Sequence, residues 1–211
     1  MFRLLSLLPA LALSAATTAA PIPEGAARPV FYHPTRVDDR WVYTLTYHKL
    51  DTANQNRLVQ VQEDRTWVVT AARVTGREAV VRTAIVADGR ETPMQTLRVS
   101  AEGVFILKGP DGKEVSPPNP LLKTPVRVGD AWEREGNSVV GAIRTRREVR
   151  GVEWVEVPAG KYQAVRVDTR LRAGGEDYRL TDWYAEGVGL VQSASDGLVS
   201  TVLKSFTPGR P

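Results

Sequence analysis

Residues 154–191 read WVEVPAGKYQAVRVDTRLRAGGEDYRLTDWYAEGVGLV. Val165, Val167, Thr169 and Leu171 alternate there with Arg166, Asp168, Arg170 and Arg172. That period describes a strand with one dry and one wet face. Val157-Pro158-Ala159-Gly160 feeds the strand as a turn, proline presetting φ and glycine free to take positive φ. Gly174-Gly175-Glu176-Asp177 then turns the chain into a return strand carrying Trp183-Tyr184, and Gly187 and Gly189 flank Val188 at the next reversal. Two successive hairpins make this antiparallel β structure.

Parts of the stretch recur upstream. Pro34 to Trp41 and Pro125 to Trp132 share the pattern P-x-R-V-x-D-x-W. Trp67-Val68 lines up with Trp154-Val155, and Ala101 to Val104 with Ala185 to Val188. The offsets, 91, 87 and 84 residues, drift in one direction, as small indels in surface turns would cause. Residues 34–118 and 125–206 are therefore expected to be two copies of one β unit, with Val37 and Val128 pointing inward. Trp41, Trp67, Trp132 and Trp154 are expected to pack as structural residues where strands begin. Trp183 has no counterpart in the first copy.

Elsewhere the same pattern holds. Trp41, Tyr43, Leu45 and Tyr47 alternate with Val42, Thr44 and Thr46 in a first strand, and Asp51 to Asn56 is a polar turn. Trp67 to Val74 and Ala79 to Val86 form a hairpin across Thr75-Gly76-Arg77. Gly109 to Pro125 contains five prolines and reads as a connector anchored by Leu121-Leu122, with room for a helical turn near Pro120 to Lys123. No amphipathic helix of three turns is present, so the fold class is all-β: an antiparallel, strongly twisted sheet, either a curved half-barrel or a sandwich. The expected organisation is a signal peptide over 1–20, an extended leader over 21–33, one all-β domain over 34–206 and a tail over 207–211.

The signal reading rests on Met1-Phe2-Arg3, the apolar run Leu4 to Leu13 and the small residues Ala15 to Ala20. Cleavage is expected after Ala19 or Ala20. The apolar run is too short for a permanent membrane helix, and no second run follows. The chain has no cysteine, which excludes disulfides and a lipid-modified cysteine, so the expectation is a free periplasmic or extracellular protein. Its 28 Lys and Arg against 24 Asp and Glu give a formal net charge of +4, too mild a balance to imply nucleic-acid binding.

The chemistry-bearing residues are sparse. Two histidines, His33 and His48, and no cysteine cannot supply a zinc centre. There is no G-x-S-x-G elbow and no phosphate-cradling glycine loop. Asp38-Asp39 and Glu176-Asp177 are carboxylate pairs, but each sits in a turn and reads as solvated. Arg144, Arg146, Arg147 and Arg150 are the densest like charge. They read as a wet sheet face with Glu148 and Glu153 as cross-strand partners. No catalytic, metal or cofactor residue is expected.

Val157-Pro158-Ala159-Gly160-Lys161-Tyr162-Gln163-Ala164, followed by Trp183-Tyr184-Ala185-Glu186-Gly187-Val188-Gly189-Leu190-Val191, resembles a group of exported bacterial proteins of unknown function. Pro125 to Trp132 matches a further P-x-x-V-G-x-x-W element of that group. The resemblance implies a curved or sandwiched antiparallel sheet in the cell envelope and no catalytic residues. The resulting expectation is a non-catalytic envelope protein that binds an apolar small molecule or lipid on a concave sheet face. An assembly module that meets another envelope protein is the alternative, and an unrecognised hydrolase the minor one.

Overall fold

The computed structural model describes residues 31–51, 57–138, 141–196 and 199–210. The expected signal peptide, most of the expected leader and the expected polar turn after Asp51 lie outside the described residues. Twelve strands follow one another: β1 (Arg40–Asp51), β2 (Arg57–Thr75), β3 (Glu78–Ala87), β4 (Arg90–Ser100), β5 (Gly103–Lys108), β6 (Glu114–Lys123), β7 (Ala131–Ser138), β8 (Gly141–Val157), β9 (Gly160–Ala173), β10 (Glu176–Ala185), β11 (Gly189–Ser195) and β12 (Val199–Thr207). They form a single sheet ordered β6-β5-β4-β3-β2-β1-β12-β11-β10-β9-β8-β7, antiparallel between all neighbours. The all-β antiparallel class read from the sequence is the one observed.

The sheet curls past a half-barrel until its edges meet. Trp132 Nε1 on β7 donates to Pro120 O on β6 at 3.0 Å, and Arg147 on β8 donates to Asn119 Oδ1 on β6 at 3.1 Å. This seam is bridged by side chains instead of a backbone ladder, and the cause is in the sequence. Pro117, Pro118 and Pro120 in β6 have no N–H to give a neighbouring strand. The expected proline-rich connector and the helical turn at Pro120 to Lys123 are thus corrected: the segment is an edge strand, where proline is tolerated. The anchor role of Leu122 holds, since it is fully buried. Gly103 opens β5 at φ 130°, and a Cβ there would lie 2.0 Å from Leu122 O.

The inner face carries the core. Tyr43, Val69, Val81, Val99, Val104, Val191 and Leu203 are buried in one cluster, and Leu122, Trp132, Val149, Val165 and Val167 in another. Matching bulges interrupt β2 at Val69/Ala71 and β8 at Val149/Gly151. Beyond its bulge, the β8–β9 hairpin brings Val155, Val157 and Tyr162 onto the first cluster. Its tip is tied down where Ala159 N–H donates to Leu203 O at 3.2 Å.

The two P-x-R-V-x-D-x-W elements adopt the same local structure. Asp39 N–H donates to Arg36 O and Asp130 N–H to Arg127 O, both at 3.1 Å, each closing a four-residue turn. Asp38 and Gly129 hold the third position at φ 67° and 91°, the positive φ of a type II turn. Each turn then docks on the next strand: Asp38 N to Val69 O and Val69 N to Asp39 O match Gly129 N to Val149 O and Val149 N to Asp130 O, all at 2.9 Å. Trp41 and Trp132 follow, both buried.

Several expectations need correction. Val37 and Val128 do not point inward; they sit on turn corners and are 43% and 69% exposed. Trp154 is not packed: it is 65% exposed, because alternation past the bulge turns Val155 and Val157 inward and Trp154 out. Nor does it match Trp67 in register. Trp67 faces Trp41, and the residue facing Trp132 is Arg147. Asp39 is not solvated but buried, accepting from Arg36 N and Gly209 N, each at 2.7 Å. That second bond also holds down the expected tail, where Gly209 is buried and a Cβ would fall 2.0 Å from Val37 O.

Candidate functional site

The barrel-like sheet forms an open cavity of about 210 Å³ whose lining includes Tyr43, Trp67, Gln95, Leu97, Asp182 and Tyr184. Alternation places these side chains. Trp41 and Tyr43 share a face of β1; Trp67 lies opposite Trp41 on β2. Asp182 lies opposite Val167, and Tyr184 opposite Val165, so both share the inner face of β10 with those core valines. A larger hollow of about 770 Å³ lies over β2–β4, lined by exposed Arg82 and Glu91 as well as buried Thr83 and Ala84.

The β1–β2 side of the cavity is aromatic. The Tyr43 and Trp67 rings are 4.5 Å apart, and Tyr43 Oη donates to Leu190 O at 2.8 Å. Trp41 donates through Nε1 to Val188 O at 2.7 Å, and its ring meets His33 at 5.3 Å. Trp67 Nε1 is buried with no hydrogen-bond partner. Burial holds the Tyr43 phenol well above its ordinary value.

On the β7–β10 side Asp182 and Tyr184 line the cavity, and the inward residues beyond them are polar. Arg147 on β8 faces Trp132 on β7 and Thr169 on β9. Arg134 on β7 faces Thr145, placing it diagonal to Arg147 on the same face. Arg147 Nε, Arg134 Nε and Thr169 Oγ1 are buried without partners. Tyr184 Oη donates to Asp182 Oδ2 at 3.4 Å. Burial pushes the Asp182 carboxyl above the usual carboxylate range, against the pull of Ser193, Arg147 and Tyr184. Burial also lowers the Arg147 guanidinium, with Arg134 acting in the same direction and Tyr184 and Asp182 opposing.

The expected arginine face is therefore split. Arg144 reaches Glu133 at 2.8 Å and Glu135 at 3.6 Å, and Arg146 reaches Glu133 at 2.9 Å. Arg150 pairs with Glu148 and, at 3.3 Å, with Asp168. Among the described residues Glu153 pairs with no arginine; it accepts from Trp183 Nε1 at 2.6 Å. Arg147 alone of the four turns inward. The sequence contained that signal, since adjacent residues on a strand point to opposite faces and Arg147 shares its parity with Val149. His48 is exposed; Glu176 and Asp177 are solvated as read, but they open β10 and the turn itself is Gly174-Gly175. No group of three or more His, Asp or Glu is gathered for a metal among the described residues.

His33 gives the site a pH signature. Burial lowers its imidazole below the ordinary value, against the pull of the Pro34 carbonyl and the Asp39 carboxylate. The unfolded chain then binds the proton more readily, so stability is full above about pH 6.5 and falls as pH drops below it. Urea midpoints at pH 7.5 and 5.5 are expected to differ more for the native chain than for His33→Phe. Equal differences would contradict the assignment.

The fold has solved counterparts. A Bacteroides fragilis protein, described as exported and with a YMCC-like fold, superposes with a TM-score of 0.53 at 15% identity, covering 84% of this chain and 99% of that one. A Parabacteroides distasonis protein described as a lipoprotein gives a TM-score of 0.52 at 16% identity over the same shares. At such identities the likeness is one of fold. The DUF3108-like family model matches residues 132–196, from Trp132 on β7 to the turn after β11. No curated protein matches.

Proposed function

We propose that this chain is an exported, non-catalytic envelope protein whose barrel interior binds a small, partly apolar molecule. The observation that carries the reading is the cavity of about 210 Å³ walled by Tyr43, Trp67 and Leu97 inside the nearly closed sheet. Its size is below the ~300–1,000 Å³ typical of drug-sized ligands, which points to a small molecule or one short chain of a larger one. The charged outer positions, Glu133, Glu135, Arg144 and Arg146 among them, suit water better than lipid. The apolar ligand thus belongs inside the nearly closed sheet instead of on an open concave face. The absence of cysteine from the sequence supports a free form after export, and one fold counterpart is described as a lipoprotein. Calorimetric titration with octan-1-ol tests the ligand reading. Saturable binding that Leu97→Phe abolishes is expected; heat no different from buffer would contradict it.

The assembly alternative draws on Trp154 and Val152, 65% and 50% exposed on the outer face of β8. The same architecture also supports an origin by duplication, with β1–β6 and β7–β12 as the two units. The paired turns, their identical hydrogen bonds and the matching bulges favour it. β6 then belongs to the first unit, which extends to Lys123 instead of ending at 118. Neither unit is expected to fold alone, because each would expose strand edges and half a core. A cooperative unfolding transition from residues 125–206 in isolation would count against this.

A further inference from the structure

On the outer face of the sheet, ladder register sets arginine against arginine. Arg144 on β8 faces Arg172 on β9, Arg146 faces Arg170, and Arg170 in turn faces Arg179 on β10. All five are exposed. Like charges directly opposite each other on a sheet are destabilising. The carboxylates at hand relieve one side of this array only. Glu133 and Glu135 on β7 pair with Arg144, and Glu133 also with Arg146. Asp177 faces Arg172, and Asp196 N–H donates to Arg179 O at 3.2 Å. Among the described residues, however, neither these nor any other carboxylate forms an ion pair with Arg170, Arg172 or Arg179.

The five arginines line one open hollow of about 440 Å³, and Tyr178 lines it with them. A face that gathers cations at a cost and leaves three of them without a counter-ion is complementary to an anion from outside the chain. That anion is extended or repeated, since the row Arg146-Arg170-Arg179 crosses two strand spacings, about 10 Å. Tyr178, 37% exposed, favours a lipid surface over a free anion, because an aromatic ring with a polar tip suits a boundary between water and lipid. We propose that this face of β8–β10 docks the protein on an anionic membrane surface. Arg170, Arg172 and Arg179 meet the phosphate oxygens of lipid headgroups, which match the planar donors of guanidinium. The strands stay at headgroup level, outside the acyl layer. The docking face and the interior cavity are separate, so each reading stands or falls alone.

Co-sedimentation of the protein with vesicles at low salt tests the proposal. Vesicles of phosphatidylglycerol and phosphatidylcholine in equal parts are expected to bring the protein down, and vesicles of phosphatidylcholine alone are not. An arginine near an anionic surface is worth about fivefold in partition, so the combined Arg170→Gln, Arg172→Gln, Arg179→Gln variant is expected to bind on the order of a hundredfold more weakly. Because that variant loses opposed like charges, its urea midpoint is expected to be no lower than that of the native chain. A matched variant, Arg57→Gln, Arg77→Gln, Arg90→Gln, removes the same charge at exposed positions on or beside β2–β4 and is expected to keep most of the binding. Equal losses from the two triple variants would overturn the assignment, net charge then being the cause. Binding to neither kind of vesicle, or equally to both, would overturn it outright. Release by inorganic phosphate at the concentration of the headgroup phosphate would give the arginines to a free anion and overturn the membrane part. Should the triple variant not fold, Arg170→Gln replaces it, with a loss of about fivefold expected against none for Arg77→Gln.

Discussion

Trp41→Ala is expected to lower the unfolding free energy by about 3–5 kcal/mol, the range for emptying a buried large aromatic site. Trp41 is 3% exposed, its indole N–H is bonded to Val188 O at 2.7 Å, and its ring contacts His33 and Phe206 at 5.3 and 5.6 Å. Truncation therefore removes the packing and strands a carbonyl acceptor, and it frees the segment that holds His33. Trp132→Ala is expected to fall in the same ~3–5 kcal/mol range. Trp132 is 6% exposed and donates across the β6–β7 seam to Pro120 O. Its loss should also speed exchange of the amides flanking that seam. His48→Ala, at an exposed position, should move the urea midpoint little. A ranking that put His48→Ala above either tryptophan would contradict this account of the core.

Asp39→Ala is expected to destabilise by about 3 kcal/mol or more. Its carboxylate accepts two backbone N–H groups, those of Arg36 and Gly209, each at 2.7 Å in a buried setting. Hydrogen bonds to a charged group contribute about 1.5–3 kcal/mol each, and the alanine variant leaves both donors without a partner. The effect should extend beyond the turn, since the Gly209 bond ties the end of the chain to the start of β1. Urea unfolding measures it. A change within about 0.5 kcal/mol, the scale of an ordinary surface substitution, would show Asp39 to be as solvated as its sequence context implied.

Much of the fold was legible because alternation is a local signal. The dry face read in Val165, Val167 and Thr169 is the inner face of β9, and all three are buried. The β2–β3 hairpin stands where Gly76 and its neighbours placed it. Elsewhere a local reading met a tertiary fact. Pro117, Pro118 and Pro120 suggest a linker to any rule that weighs one segment at a time. They become compatible with a strand only when that strand has no partner on one side. Val37 and Val128 look like core residues by type, but the positive φ at Asp38 and Gly129 makes them turn corners. The match of Trp67 to Trp154 followed residue identity, whereas ladder register aligns Trp67 with Arg147.

The site was less legible than the fold for a related reason. A charged residue in a strand is read as wet, and that holds for Arg144 and Arg146. Arg147 and Asp182 break the rule, each two positions from a buried residue of the same parity, Val149 and Tyr184. Only closure of the sheet makes that shared face an interior. Asp39 escaped notice similarly, since its partner Gly209 lies 170 residues away.

The most direct test is crystallographic. Crystals of the protein grown with 8-bromooctan-1-ol would locate the ligand by the anomalous signal of its bromine. The account predicts a bromine peak inside the barrel, beside Tyr43, Trp67 and Leu97. A peak confined to the outer face of the sheet, or none at saturating ligand, would contradict it.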